Sequence, residues 1–475
     1  MRRRIDTDLC VIGGGSAGLS VAAGAVQMGA STVLIERGAM GGDCLNTGCV
    51  PSKALLAAAR TAEAMRRADR FGLAAVEPQV DFARVHDHVH GVIAAIAPID
   101  SQERFEGLGV TVLRETAAFT GPDTLLAGEA EVRARRFVIA TGSAPAVPPI
   151  PGLDRVAFLT NETIFGLTAA PDHLVVLGGG PIGVEMAQAH RRLGCRVTIV
   201  EQARLLPKDD PALVEVVRQA LLADGVEILE GARATAAEAQ AGGVVLAGEC
   251  GGRPIRIAGS HLLVAVGRRA MVDGLGLDQA GVAHTPASIT VDRRLRTTNK
   301  HIYAIGDVTG GPQFTHVAAH HASVALRNIL FRLPAKVNDR ALPWVTYCEP
   351  ELANVGLTEA AARERHGNFV EVAEWSFAEN DRAQAEHATE GRIKVVATKR
   401  GRVLGAGIVG PHAGELIVPW GLAIARGVRL GALAGLIVPY PTFSEVSKRA
   451  AGAFYTAKLF SERTRKVVRF LARFG

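Results

Sequence analysis

The chain has 475 residues, 48% of them hydrophobic and 5% aromatic, with 53 glycines, six cysteines and a formal net charge of +6. That length suits two to four domains, and the composition excludes a disordered polymer, a secreted disulfide framework and a membrane-spanning protein with apolar runs of about 18 residues. A reducing, cytoplasmic setting is expected, and the modest positive charge fits anionic cofactors and gives no ground for a nucleic-acid partner.

Asp8-Leu9-Cys10-Val11-Ile12 reads as a short buried strand running into Gly13-Gly14-Gly15-Ser16-Ala17-Gly18 and an Ala-rich helical stretch. This is the G-x-G-x-x-G fingerprint (Gly13, Gly15, Gly18) between a strand and a helix, where a pyrophosphate can approach the helix N-terminus closely. Met1-Arg2-Arg3-Arg4-Ile5 is therefore read as leading into a nucleotide site and not as a secretion leader, no Ala-x-Ala cleavage site being evident. A second strand, Thr32–Ile35, ends at Glu36, where a carboxylate would accept the adenosine ribose hydroxyls.

Next come Cys44 and Cys49, within Gly41-Gly42-Asp43-Cys44-Leu45-Asn46-Thr47-Gly48-Cys49-Val50-Pro51-Ser52-Lys53. A regular helix would hold these thiols too far apart for a disulfide, but Asn46-Thr47 and Gly48 supply a turn that could close the gap. Pro51 fits the first helical position. Cys49 would lie near that helix N-terminus with Lys53 one turn on, and both features favour a thiolate. The competing readings are a metal-ligand pair or two inert core cysteines. A structural zinc takes about four ligands, and Cys10, Cys195, Cys250 and Cys348 are scattered singly. Redox chemistry is the expectation, with no metal site.

Residues 54 to about 115 alternate helical Ala/Arg-rich segments with short loops, and a strand over 136–140 runs into Thr141-Gly142. Beyond a Pro-rich connection over 147–152, a second unit repeats the first. The strand 173–177 leads into Gly178, Gly180 and Gly183, a helix containing Glu185, and a strand 196–200 ending at Glu201. Glu36 and Glu201 each lie eighteen positions beyond the last glycine of their fingerprint. Either acid alone could be a solvated strand end; the duplicated spacing favours two dinucleotide sites with electrons passing between them. Glu201 favours NADH over NADPH because it would repel a 2′-phosphate, a preference that Arg204 nearby moderates, so NADPH use is not excluded. A strand-Gly element closes this unit at Gly267-Arg268. A further strand ends in Gly306-Asp307, whose acid could accept the hydroxyls of a polyol or mark a turn.

From Leu342 the chain turns β-rich and helical, punctuated by prolines, without a nucleotide fingerprint, and reads as an interface domain. Arg463 to Phe474 form a basic amphipathic segment. A helix packed on its own protein is expected there; contact with an anionic membrane surface or an acidic partner is the alternative.

Together these motifs resemble the pyridine nucleotide-disulfide oxidoreductases, the family of dihydrolipoamide dehydrogenase, glutathione reductase and mercuric reductase. The resemblance spans essentially the whole chain, from Gly13 to Pro441-Thr442-Phe443-Ser444-Glu445. It implies an α/β fold with two Rossmann-like domains and an α+β carboxyl-terminal dimerisation domain, divided as 1–148 (FAD), 149–268 (NAD(P)), 269–341 (FAD/central) and 342–475 (interface). It further implies FAD on the first fingerprint and Asp307, the nicotinamide nucleotide on the second, and a Cys44–Cys49 redox disulfide. In that disulfide Cys49 faces the flavin and Cys44 meets substrate, with Lys53 and Glu185 as an ion pair beside the flavin. The implied assembly is a homodimer in which Tyr440 and Glu445 complete the partner's site. Disulfide-reducing relatives carry His where this chain has Tyr440. Mercuric reductase has Tyr there but adds a carboxyl-terminal cysteine pair, and this chain has no cysteine after Cys348. The expected activity is therefore mercuric reductase-like, with a soft metal ion or small electrophile as acceptor. The alternatives are a dihydrolipoamide dehydrogenase using Tyr440, and a non-catalytic flavoprotein sensor or docking partner.

Overall fold

The structure, a computed structural model, describes residues 3–474; Met1 and Arg2, at the start of the segment weighed above as a leader, and Gly475 lie outside them. The first strand, Arg3–Ile12, is ten residues long instead of the five expected. Its buried half, Leu9–Ile12, runs parallel to Thr32–Ile35 on one side and to Arg136–Ile139 on the other. Its exposed half pairs with Ala130–Ala134. The strand Ala130–Ile139 serves two neighbours in the same way: its apolar end pairs in parallel with Ile302–Ala304, and its alternating end joins the antiparallel hairpin Ala117–Gly121/Thr124–Ala127. Only the end buried on both faces needs a continuous apolar run, so the sequence exposes that end and hides the rest.

The second unit is a four-stranded parallel sheet in the order Glu227–Glu230, Arg196–Glu201, His173–Leu177, His261–Val264, beside a three-stranded antiparallel sheet. All five residues of His173–Leu177 are buried. The region after Leu342 holds a five-stranded antiparallel sheet in the order Pro343–Thr346, Glu351–Gly356, Val403–Gly410, Arg392–Thr398, Val370–Ser376. Trp420, Phe377 and Phe454 fill the core between this sheet and the helices Val418–Arg426 and Glu445–Leu459. This is the α/β organisation expected, with both glycine turns at the carboxyl ends of parallel strands, where open α/β sheets bind ligands.

A buried charge cluster fastens these parts together. Asp224 (side chain 1% exposed) accepts Arg192 Nε at 2.8 Å and Arg67 Nη2 at 3.1 Å. Gln188 Nε2 adds a bond at 2.9 Å, and Arg192 also pairs with Glu349. Removing one member of such a cluster leaves an under-compensated buried charge, at a cost of about 3 kcal/mol. Asp224→Ala is therefore expected to lower the denaturant midpoint of the intact protein clearly, and Glu349→Gln, whose partner keeps Asp224, much less. Equal, small effects would show that the cluster does not hold the units together.

Among the described residues no helix is long and apolar enough to cross a membrane. The helix Glu462–Leu471 buries none of its residues. Within the single chain the expectation that it packs on its own protein is not met; it is the preceding helix, Glu445–Leu459, that covers the sheet edge at Val370–Ser376.

Candidate active site

Both glycine turns obey one steric constraint. A Cβ on Gly18 would sit 1.8 Å from the Gly13 carbonyl oxygen, and one on Gly183 would sit 2.0 Å from that of Gly178. Gly13 and Gly178 take φ of +110° and +114°, which L side chains resist. At the middle positions the space opens: nothing lies within 4 Å of a Cβ on Gly180, and only Gly42 Cα, at 3.8 Å, on Gly15. Each forms a cradle in front of a helix, Ser16–Gln27 or Pro181–Arg192, that a side chain would fill and a pyrophosphate fits. The two strand-end acids are held alike. Glu36 accepts from Gly14 and Gly38 N–H at 2.5 Å each, and Glu201 from Gly179 at 2.6 Å and Ala203 at 2.7 Å. Neither is a freely solvated carboxylate. Arg204 donates to the Pro207 and Asp209 carbonyls at 2.9 and 3.1 Å, so its guanidinium is engaged by backbone beside Glu201.

The cysteine loop is tied onto the first turn. Gly41 N–H donates to Gly14 C=O at 2.9 Å, and a Cβ on Gly42 would lie 2.7 Å from Gly15 Cα. Cys44 sits on the short helix Gly42–Asn46, and Cys49 is the first residue of the helix Cys49–Arg66. That helix starts two residues earlier than expected, which places Pro51 within its first turn, where its missing N–H still has no helical partner to lose. Gly48 is needed for space and not for a left-handed backbone: its φ is −131°, and a Cβ there would lie 2.9 Å from both the Asp43 carbonyl oxygen and Oδ2.

Both cysteines are free thiols, Cys49 exposed and Cys44 half-buried. Their chemistry is split. Hydrogen bonding from Cys44 pushes the Cys49 thiol down to about 6, helped by the Thr315 hydroxyl and the Lys53 ammonium and opposed by burial and Asp43. Cys44 is pushed up in turn, first by the same hydrogen bond and then by burial. Thr315, 3.4 Å from Cys49 Sγ, opens the helix Thr315–Ile329, so the thiolate also meets a helix N-terminus. Burial pushes the thiols of Cys10, Cys195 and Cys348 upward, away from reactivity.

Lys53 Nζ lies 2.8 Å from Glu185 Oε2, and Glu185 is only 5% exposed. The other Glu185 oxygen accepts from the Tyr347 amide at 2.9 Å, and Lys53 stands 4.3 Å over the Tyr347 ring. Asp307 accepts from Ser143 Oγ at 2.6 Å, and burial pushes its carboxyl upward. Arg268 then links Asp307 to the cysteine loop: Nε donates to Ser143 Oγ at 2.7 Å, and Nη2 pairs with Asp43 Oδ2 at 3.4 Å. Asn161 completes the link, donating to Asp43 Oδ1 at 2.8 Å and to the Thr47 carbonyl at 3.1 Å. Thr141 Oγ1 donates to Met271 C=O at 2.8 Å; Gly142 and Gly267, at φ of +74° and +133°, flank the same crossing between units.

Sequence reasoning did not assign Thr315, Ser143, Asn161, Asp43 or Tyr347 to the site, and it noted Arg268 only as part of a strand-end motif. Tyr440 and Glu445 stand elsewhere. Tyr440 is 70% exposed, and its hydroxyl donates to Asp381 Oδ2 at 2.7 Å, which pushes the phenol still higher. Glu445 opens the helix Glu445–Leu459. Among the described residues no hydrogen bond or ion pair joins either to Cys44, Cys49 or Lys53.

The family model described as pyridine nucleotide-disulphide oxidoreductase matches residues 7–322, and that of its dimerisation domain matches 342–451. The chain is 37% identical over 457 residues to mercuric reductase of Streptomyces lividans, covering 94% of this chain and 96% of that protein. It is 35% identical over 451 residues to dihydrolipoyl dehydrogenase of Bacillus subtilis, covering 93% and 97%. Among solved structures it superimposes on the HOCl-induced flavoprotein disulfide reductase RclA of Escherichia coli with a TM-score of 0.84 at 28% identity, covering 94% of this chain and 99% of that one.

Proposed function

The chain belongs to the pyridine nucleotide-disulphide oxidoreductases, which are enzymes that use FAD and NAD(P)H, and on that premise we propose that it carries electrons from NADH to a Cys44–Cys49 pair and on to a soft metal ion or small electrophile. Residues 1–148 and 269–341 would hold FAD, with Gly13, Gly15, Gly18, Glu36, Thr141, Gly142 and Asp307 in contact with it. Residues 149–268 would hold the nicotinamide nucleotide through Gly178, Gly180, Gly183, Glu201 and Gly267. Residues 342–475 would form the interface of a homodimer. FAD, when bound, supplies a carrier that takes a hydride from NADH and delivers an electron pair to a disulfide.

The observation that carries the reading is the split cysteine pair on the first glycine turn. With both thiols reduced, the contacts of Cys49 with Cys44, Thr315 and Lys53 favour its thiolate, and Glu185 pairs with Lys53 at 2.8 Å. Cys44, on the short helix Gly42–Asn46, would be the thiol that meets an acceptor, the role the family resemblance implies for it. A soft cation held by both sulfurs displaces the one proton the pair still shares, and the Cys49 thiolate can take the Cys44 proton when Cys44 attacks an electrophile, so neither step needs a further base. Tyr440 supports that choice of acceptor, because a phenol pushed above its ordinary range is a poor proton shuttle near neutral pH. Its exposure in the single chain suits a residue that works in a partner's site. NADH-dependent turnover by the purified, FAD-loaded protein tests the proposal with mercuric ion and with lipoamide. Turnover of the ion with negligible lipoamide reduction is the expected result; brisk lipoamide reduction would replace this reading with the second one.

That second reading is a dihydrolipoamide dehydrogenase, and Glu445 at the start of its helix is the observation in its favour. A Glu there could orient Tyr440 or a water as a substitute acid–base group.

For the nicotinamide site, Glu201→Ala is expected to shift the NADH-to-NADPH ratio of kcat/KM toward NADPH by about tenfold, since it removes both a ribose acceptor and a charge that repels a 2′-phosphate. Steady-state kinetics with both nucleotides reads this directly. An unchanged ratio would mean that Glu201 does not face the ribose.

A further inference from the structure

The helix Glu462–Leu471 takes no part in the chemistry above and adds no buried residue to the fold. It is nonetheless well terminated: Thr464 N–H donates to Ser461 Oγ at 3.3 Å, the Thr464 hydroxyl donates to the Lys458 carbonyl at 3.0 Å, and Arg465 pairs with Glu462 at 3.1 Å. At 3.6 residues per turn, Val467, Phe470 and Leu471 share one face with Val468 beside them, and Phe474, just past the helix end, reaches back to that face through Phe470. These five are 51–76% exposed. The Phe470 and Phe474 rings rest on each other with centroids 5.1 Å apart, not on the rest of the protein. The opposite face carries Lys466 and Arg469, flanked by Arg465, with Arg473 just past the helix end.

We propose that this helix lies on an anionic lipid surface, with its apolar face in the acyl boundary and its cations among the headgroup phosphates. The separation of a Phe/Val/Leu face from a Lys/Arg face is what an interfacial helix requires. The shape of the apolar face favours a plane over a groove: from Phe470 round to Val468 it covers nearly half the helix circumference, wider than the stripe a protein groove encloses. Exposed Leu459 and Phe460 extend it at the near end. Lys466 and Arg465 stand toward its two edges, where long stems can reach sideways to phosphates. A second copy is a poor occupant: the match to the dimerisation domain ends at residue 451, short of this helix, and residues 462–474 carry five Lys/Arg against one acid, so helix pairing would set like charges together.

Co-sedimentation of the full-length, FAD-loaded protein with vesicles tests this. One set is phosphatidylcholine alone and the other contains about 30% phosphatidylglycerol, an anionic lipid. Binding to the anionic vesicles alone, weakened by salt, is the expected result. Lys466→Gln with Arg469→Gln should weaken it about thirtyfold, at about fivefold per cation. Phe470→Ser with Phe474→Ser should weaken it at least as much, and both variants should reduce their flavin with NADH normally. Equal binding to both vesicle types, or none to either, would overturn the proposal. So would capture of the helix by polyglutamate without vesicle binding, which would assign it to an acidic protein partner.

Discussion

Cys44→Ala is expected to lower acceptor-dependent NADH oxidation by about a thousandfold or more, while NADH continues to bleach the bound flavin at an unchanged rate. The split follows from where the residue sits. Its loop is fastened to the first glycine turn through backbone, by Gly41 N–H to Gly14 C=O and by the close approach of Gly42 to Gly15. The cradle for the dinucleotide therefore does not depend on the Cys44 side chain. The thiol is half-buried and sits on a five-residue helix, so truncation opens no large cavity. What is lost is the sulfur that would meet the acceptor. Cys49→Ala should abolish turnover as well, but by a different route, and it should bring the Cys44 thiol down toward its ordinary range by removing the thiolate to which it donates. Cys250→Ala, a half-buried cysteine outside the site, should change neither readout. Full acceptor turnover by Cys44→Ala would show that the acceptor draws its electrons without the thiol pair.

How much of this was legible in the chain depended on whether a residue's role is local. The two glycine turns were, because their constraint acts between residues five apart: Gly18 must clear the Gly13 carbonyl and Gly183 that of Gly178. Glu36 and Glu201 show in the sequence as a duplicated spacing, and the fold adds that each is held by a glycine-turn amide 22 positions away. Lys53 and the helix start suggest a thiolate at Cys49 from local sequence, yet the largest influence on it in the fold is Cys44 and the next favourable one is Thr315. Thr315 is 266 positions away, and no local pattern announces it. Arg268 shows the same limit: it stood in a recognisable strand-end motif, but its bridge from Ser143 and Asp307 to Asp43 exists only once three separate segments meet. Gly48 is a break that its local sequence suggests, but the crowding by Asp43, 2.9 Å from a Cβ there, is a second demand for glycine that only the fold shows. The tail was legible only in part, because amphipathicity shows that a helix has an apolar face without showing which surface covers it.

The alkylation rate of Cys49 in the NADH-reduced, FAD-loaded protein is expected to titrate with a midpoint near 6, whereas Cys44 stays unreactive through neutral pH. Iodoacetamide labelling quantified peptide by peptide separates the two. The sign is fixed by which form each neighbour favours. Cys44, Thr315 and Lys53 all stabilise the charged thiolate and lower its pKa, and burial and Asp43 oppose them. An ordinary cysteine ionises at about 8.5, so near pH 6.5 the thiolate fraction here exceeds the unperturbed one by roughly seventy- to eightyfold. Cys44→Ala removes the largest of the favourable influences and should cut the Cys49 rate at that pH by about tenfold. Thr315→Val and Lys53→Met should move the midpoint upward by smaller steps. Because the folded pKa lies below the unfolded one, the same contacts stabilise the folded, reduced protein fully above about 8.5, and that contribution fades as the pH falls through 6. A midpoint near 8.5 in the wild type, or one indifferent to Cys44→Ala, would mean that Cys49 is an ordinary thiol and would remove the reason for assigning it the thiolate role.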